Sequence, residues 1–486
     1  MSNLLSSNRV ATAVASLLLV ATTAFAKDPP AAATAQPLAE MQMQISTEGM
    51  THGEYLARQE QLNAALTAEM PIAAFAAPLR VSLTQEQLDA IAQAPPTPLR
   101  IGAVTELEPR VDIVGLSSSK VQNAATQGVL SPAADGGYVW ALAINSADAG
   151  SIRVHIENLD LPAGVSLYFY SLEGEAFGPW TGKGPDGTGD IWTESVFGQE
   201  GVLQLRISGP ANEALLKQIS FSVTEVGNVL PEFAGGMMLD GAPRGGFCGN
   251  VPCIVDVSCS SGGNSIRDAY AKMEWIAGAF IYTCTGGLLN DNNPSQNNFF
   301  LTANHCLSKN NIARNVQFYW RFRTSSCNGS CPSNSGWPYK TTGSTLKTTG
   351  KTADFTLLQL NSNPPSGSVF LGWTTTAVAN SNGVALHRVS NPNFGPQVYS
   401  THTVDTSAPT CQGWARGPRI YSRDTFGATD GGSSGSPVVN SADQVVGQLS
   451  GACGFNPGDP CDSSSNATVD GAFASYYSSV QPHLNP

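Results

Sequence analysis

Apolar and polar positions alternate with period two through much of the first half of the chain. Ile152, Val154 and Ile156 stand at every second residue, as do Val165, Leu167 and Phe169, then Leu203, Leu205 and Ile207, then Phe221 and Val223. Successive side chains of a strand point to opposite faces, so this spacing predicts strands with one buried face. The turn sequences Pro162-Ala163-Gly164, Lys183-Gly184-Pro185-Asp186-Gly187 and Ser208-Gly209-Pro210 separate them. The pattern is that of an antiparallel β-sandwich over residues 100–230. Two stretches before it have helical spacing of Leu and Ala, His52–Met70 and Thr84–Gln93. In the second, Thr84 followed by Gln87 has the form of a capping box. Both are short and need another surface to pack on.

The termini and seams follow a different pattern. Residues 1–26 have a polar start with Arg9, an apolar run from Val10 to Val20 and small residues at Ala24 and Ala26. This predicts a secretory signal cleaved after Ala26, hence an exported protein. The run is too short to span a bilayer, which needs roughly 20 apolar residues, so no membrane anchor is expected. Residues 27–50, rich in Ala, Pro, Gln and Thr, read as a mobile linker within a 27–99 segment of linker and short helices. Residues 231–244 lack periodicity and read as an exposed bridge, with cleavage expected between Arg244 and Gly245.

Composition adds a division of labour. Of 486 residues only 13% are charged, while 49 glycines and 31 prolines favour short strands and turns, so the chain as a whole reads as mainly β. Residues 1–244 hold 25 acidic and 12 basic side chains and residues 245–486 hold 12 and 13, so the net charge of −12 belongs to the first half. No basic face points to nucleic acid. All 10 cysteines lie between Cys248 and Cys461. In an exported chain an even set reads as disulfides, and no repeated CxxC pair marks a zinc site, so no metal is expected.

Three segments of the second half carry chemistry, in the order His, Asp, Ser. Phe299-Phe300-Leu301-Thr302-Ala303-Asn304-His305-Cys306 is an apolar strand ending in histidine, and Ala353-Asp354-Phe355-Thr356-Leu357-Leu358 is an aspartate heading a buried strand. Asp430-Gly431-Gly432-Ser433-Ser434-Gly435-Ser436-Pro437 is a serine in a glycine-rich turn. A serine attacks an amide only when an imidazole takes its proton, and a carboxylate fixes the imidazole in the tautomer that can do so. The glycines let the amides of Gly432 and Ser434 converge on an oxyanion. The His155, His387, His402 and His483 side chains have no such setting, and His155, in a sandwich strand, reads as structural.

These segments resemble the chymotrypsin-like serine proteases, and most of all the bacterial lysyl endopeptidases, which Cys253-Ile254-Val255-Asp256-Val257-Ser258-Cys259 also resembles. The resemblance covers 245–486 and implies a double six-stranded β-barrel and an active endopeptidase without cofactor. It makes His305 the base, Asp354 its orienter and Ser434 the nucleophile. It puts Ser450 against the aspartate at the start of a substrate-pairing strand that includes Gly451, and Ser475–Val480 in a closing helix. It further implies that Cys284 pairs with Cys306, Cys259 with Cys327, and Cys253 with Cys453 or Cys461. Basic specificity needs an acid in the primary pocket, and Asp430 and Asp470 are the candidates, Ala467 or Thr468 standing at the family's own position. Ser433 replaces the aspartate that in many animal members pairs with the new amino terminus, so the first half is expected to act on the protease as a steric cover and folding aid. Protein or peptide substrates and a monomer are expected. An inactive binding or adhesive relative is the competing class. A lipase-type Gly-x-Ser-x-Gly elbow does not fit the serine spacing or the position of His305.

Overall fold

In the computed structural model, residues 39–485 are described apart from 96, 119–127, 148, 211–212, 234–246, 294–295 and 333–337. The signal segment with Ala26, the first part of the expected linker and the Arg244–Gly245 pair lie outside the described residues. The alternating segments form a sandwich. One sheet contains the strands Leu99–Val114, Ser220–Val229, Ser151–Asp160 and Ile191–Trp192, and the other Leu79–Val81, Tyr138–Ser146, Glu200–Ile207, Val165–Tyr170 and Ala176–Trp180. Trp140, Leu142, Ile152, Val154, Ile156, Leu167, Phe169, Leu203, Leu205, Phe221 and Val223 fill the space between them. The helices are where periodicity put them, at His52–Glu69 and Gln85–Ala92. Thr84 Oγ1 accepts from Gln87 N at 3.2 Å while Thr84 N donates to Gln87 Oε1 at 2.9 Å, closing the capping box. Leu66 of the longer helix covers Ala141, Ala143 and Val202 on the outer face of the second sheet.

The second half is also mainly β, with one closed barrel and one half-barrel. Pro437–Asn440, Ala385–Ser390, Val398–Val404, Arg419–Phe426, Asn466–Ala472 and Gln444–Gly454 pair in that order, and the last returns to the first. Tyr270–Ala277, Phe280–Leu289, Phe299–Ala303, Gln317–Trp320, Tyr339–Thr342, Ser344–Gly350 and Phe355–Leu360 form the half-barrel. Phe280–Leu289 uses part of its edge to pair with sandwich strand Leu99–Val114, from Phe280 opposite Ala103 to Thr283 opposite Leu99. One continuous sheet therefore runs from the sandwich into the second half. The closing helix, Phe473–Leu484, buries Phe473, Tyr476, Tyr477, Val480 and Leu484.

The linker expectation needs correcting for its described part. Glu40–Met41 pairs with Gly372–Thr374, Gln44–Ile45 pairs with Val369–Phe370, and Asn290 Nδ2 donates to Gln42 O at 2.8 Å. A polar, alanine-rich composition does not reveal backbone donors and acceptors that an edge strand elsewhere can satisfy.

Buried charge also crosses between the halves. Arg153 Nη1 lies 3.3 Å from Glu274 Oε1, both side chains fully buried, and Glu274 also accepts from Ser195 Oγ at 2.6 Å and Tyr319 OH at 2.5 Å. Lys340 Nζ donates to Glu175 Oε1 at 2.6 Å and to Ser195 O at 2.7 Å. Burial pushes the Glu175 carboxyl up, against the opposing pull of Lys340.

Candidate active site

Strand pairing brings His305 and Asp354 together. Phe299–Ala303 is buried along its whole length, so its end is fixed, and it pairs with Phe355–Leu360 so that Ala303 stands opposite Phe355. The residues flanking that pair, Asn304-His305 and Asp354, must then meet. Asp354 Oδ2 lies 2.8 Å from His305 Nδ1, Oδ1 accepts from His305 N at 2.9 Å, and Asp354 O accepts from Asn304 N at 3.0 Å. Asp354 holds φ +56, a backbone state a non-glycine residue keeps only when its surroundings hold it there. Gln448 supplies part of that hold, donating from Nε2 to Ala353 O and Asp354 O at 2.9 Å each while its Oε1 accepts from Tyr476 OH at 2.5 Å. Behind His305, Cys306 is bonded to Cys284.

Ser434 lies in the turn before strand Pro437–Asn440, 4% exposed. Thr285 N donates to Ser434 O at 2.8 Å, Thr285 Oγ1 to Gly432 O at 2.9 Å, and Gly435 N to Leu449 O at 2.8 Å. Gly435 (φ +82) presses on the strand that carries His305, since a Cβ there would stand 2.2 Å from Thr302 Oγ1. Gly432 has φ +93, and a Cβ would meet Asn391 O at 3.0 Å. Among the described residues neither the Gly432 nor the Ser434 amide donates to a protein acceptor, which leaves both for a ligand oxygen. No hydrogen bond joins Ser434 Oγ to His305 Nε2, whose contact is Cys306 Sγ at 3.6 Å. Without substrate such a bond is commonly long and tightens when the reacting complex forms. Ser433 is buried and accepts from Ser390 Oγ at 3.0 Å, a neutral lock in place of a charged switch.

Other positions fall differently from expectation. Ser450 Oγ accepts from Arg419 Nη1 and is not bonded to Asp354; that same Nη1 lies 3.7 Å from Asp354 Oδ2. Trp414 covers the guanidinium at 5.0 Å and packs beside Gly451. Asp470 is fully buried and cannot reach substrate, because Arg388 Nη2 donates to its Oδ2 at 2.9 Å and Nη1 lies 2.8 Å from Oδ1. Asp430 does line the cleft beside Ser434, with Gly451 and Thr468, but its Oδ1 accepts from Gly431 N at 2.8 Å in a local turn. The same cleft contains Asp424 and, from the first half of the chain, Thr97. Neither carries a sequence signal, since both arrive through pairing of distant strands. His155 is structural as expected, lying between Glu225 at 2.7 Å and Asp190 at 2.9 Å and stacked on Trp192.

The cysteines pair as Cys248–Cys331, Cys253–Cys461, Cys259–Cys327, Cys284–Cys306 and Cys411–Cys453. Cys461, not Cys453, is thus the partner of Cys253.

A closed β-barrel beside a half-barrel, with histidine, aspartate and serine segments converging at their junction, is consistent with the chymotrypsin-like fold, and the chain is a serine endopeptidase. Residues 249–465 match the family described as lysyl endopeptidase, C-terminal domain. A lysyl endopeptidase of Pseudomonas aeruginosa is 27% identical over 412 residues, 82% of this chain and 83% of that protein. The chain is thus similar to the bacterial lysyl endopeptidases. Among solved structures, the HtrA-type protease AlgW with tripeptide is 12% identical with a TM-score of 0.33, over 46% of this chain and 62% of that one. The Rv3671c protease from M. tuberculosis in its active form is 15% identical with a TM-score of 0.32, over 51% and 95%. At such TM-scores nothing rests on either.

Proposed function

We propose that the chain is a secreted precursor whose 245–486 region cuts peptide bonds after lysine or arginine. Ser434 Oγ attacks the carbonyl as His305 Nε2 takes its proton. The Gly432 and Ser434 amides receive the oxyanion, and His305 returns the proton to the leaving amine. Water then releases the acyl group by the same steps in reverse roles. The observation that carries this reading is the pair of bonds from His305 to one carboxylate, through Nδ1 and the backbone amide, which aims Nε2 away from Asp354. The basic preference draws on Arg244–Gly245 as a self-processing site and on the relative named lysyl endopeptidase.

In this reading residues 1–26 direct export, 27–244 form the pro-region, and cleavage in 231–244 frees the protease. Thr97, which lines the same cleft as Ser434, supports steric inhibition by the pro-region. Its strands paired into the protease half support a templating role in folding.

The test combines a fluorophosphonate probe, amino-terminal sequencing and a P1 profile. Wild-type secreted protein is expected to begin at Gly245, label at Ser434 and cut after basic residues. Ser434→Ala is expected to lose labelling and about 10⁴-fold or more of its hydrolysis rate. Full activity in that variant would overturn the mechanism, and a profile dominated by aromatic or acidic P1 residues would overturn the preference alone.

A further inference from the structure

We infer that Asp424 is the carboxylate that receives the positive charge of the substrate side chain, a specificity determinant that neither the motifs nor the family's pattern of acids marks. This rests on the basic preference proposed above and deepens it. Asp424 stands on strand Arg419–Phe426, flanked by Val398–Val404 and Asn466–Ala472. That pairing sets His402 directly opposite Asp424 and Thr468 opposite the nearby Ser422. The Asp424 side chain is 12% exposed and opens on the cleft that holds Ser434.

Its surroundings keep it charged. His402 Nδ1 lies 2.7 Å and Thr468 Oγ1 2.6 Å from the same oxygen, Oδ1. His402 Nε2 accepts from Arg388 Nε at 3.1 Å, which places the ring proton on Nδ1, the nitrogen facing Asp424. Arg388 is itself neutralised by Asp470. Within the buried group of Arg388, Asp470, His402 and Asp424, Asp424 is the member at the cleft. Burial raises the Asp424 carboxyl's proton affinity, but the hydrogen bond and charge of His402, the bond from Thr468 and the charge of Arg388 outweigh it and hold the pKa below the usual carboxylate value.

The other carboxylates of the cleft accept hydrogen bonds from their own loops. Asp430 holds the Gly431 amide, Asp459 accepts from Cys461 N at 2.9 Å, and Asp462 accepts from Ser464 Oγ at 2.8 Å and Ser465 N at 3.0 Å. A buried, ionised acid at the cleft favours an ammonium or guanidinium ligand, and an uncharged side chain in its place would leave that charge desolvated and unpaired. Thr97 lines the same space.

The experiment uses processed enzyme and paired peptides identical except for Lys or Leu at P1. Asp424→Asn is expected to reduce the Lys/Leu ratio of kcat/KM by about 10²-fold or more, with fluorophosphonate labelling of Ser434 retained as the check on folding, and Asp430→Asn to reduce it less. An unchanged ratio in Asp424→Asn, with the wild type still preferring Lys, overturns the assignment and leaves the basic preference standing. A wild type without preference for Lys removes both. A crystal structure of Ser434→Ala bound to a peptide ending in lysine decides the matter independently of how Asp424→Asn folds: the ammonium against the Asp424 carboxylate supports the inference, and against Asp430 overturns it.

Discussion

The sandwich strands between Leu99 and Val229 enclose one large apolar core without a cysteine, whereas the protease half divides its interior among several smaller clusters and carries five disulfides. The bridges concentrate where strand pairing is sparse. Residues 247–269 form only short 3-10 turns and isolated bridges, and Cys248, Cys253 and Cys259 tie them to Cys331, Cys461 and Cys327. If processing occurs at Arg244, that stretch becomes the new amino terminus and stays tied to the rest by its disulfides. A half built around one core holds together without disulfides, while a half with sparsely paired segments is tied by covalent links.

The first way to break this comparison is at the seam. Arg153→Met removes the guanidinium in direct contact with buried Glu274 and should lower the urea stability of the unprocessed precursor by about 3–5 kcal/mol. Arg110→Ala, in an exposed pair with Asp112, should cost about 1 kcal/mol or less. Equal effects from the two would mean that the halves do not share a load across the seam.

A smaller loss is expected from the bridges. The double substitution of Cys253 and Cys461 by serine should destabilise the processed protease by about 2–4 kcal/mol. It should matter less in the precursor, where strands of the first half still pair with the second. Differential melting of both forms reads this directly, and a larger loss in the precursor would refute the account.

The smallest effect separates the halves by sign. Bonds to Glu225 and then Asp190 raise the pKa of His155 despite burial, so its contribution to stability is full below the unfolded value of 6.5 and is lost as pH rises through the raised folded value. For His387 burial dominates over Asp443 and lowers the pKa, so its contribution is full above 6.5 and is lost as pH falls toward the folded value. Melting temperatures between pH 5 and 8 should therefore show His155→Gln approaching wild type at the alkaline end and His387→Gln at the acid end. The same trend in both variants would contradict the two environments.

Much of this molecule was legible along the chain. Period two located the sandwich strands, Thr84 with Gln87 marked a helix start, and the His305, Asp354 and Ser434 segments stood out because each needs particular neighbours. Those signals are local, set by side-chain alternation, caps and turn glycines within a few residues. The docking of residues 39–50, the turn of Ser450 toward Arg419, the burial of Asp470 by Arg388 and the arrival of Asp424 and Thr97 in the cleft had no such mark. Each depends on which strands become neighbours and in what register, and a register shift of one residue moves every side chain to the other face. Residue type and spacing along one strand therefore determined the chemistry on offer, and the closure of sheets from distant strands decided which charges face the cleft and which neutralise one another in the interior.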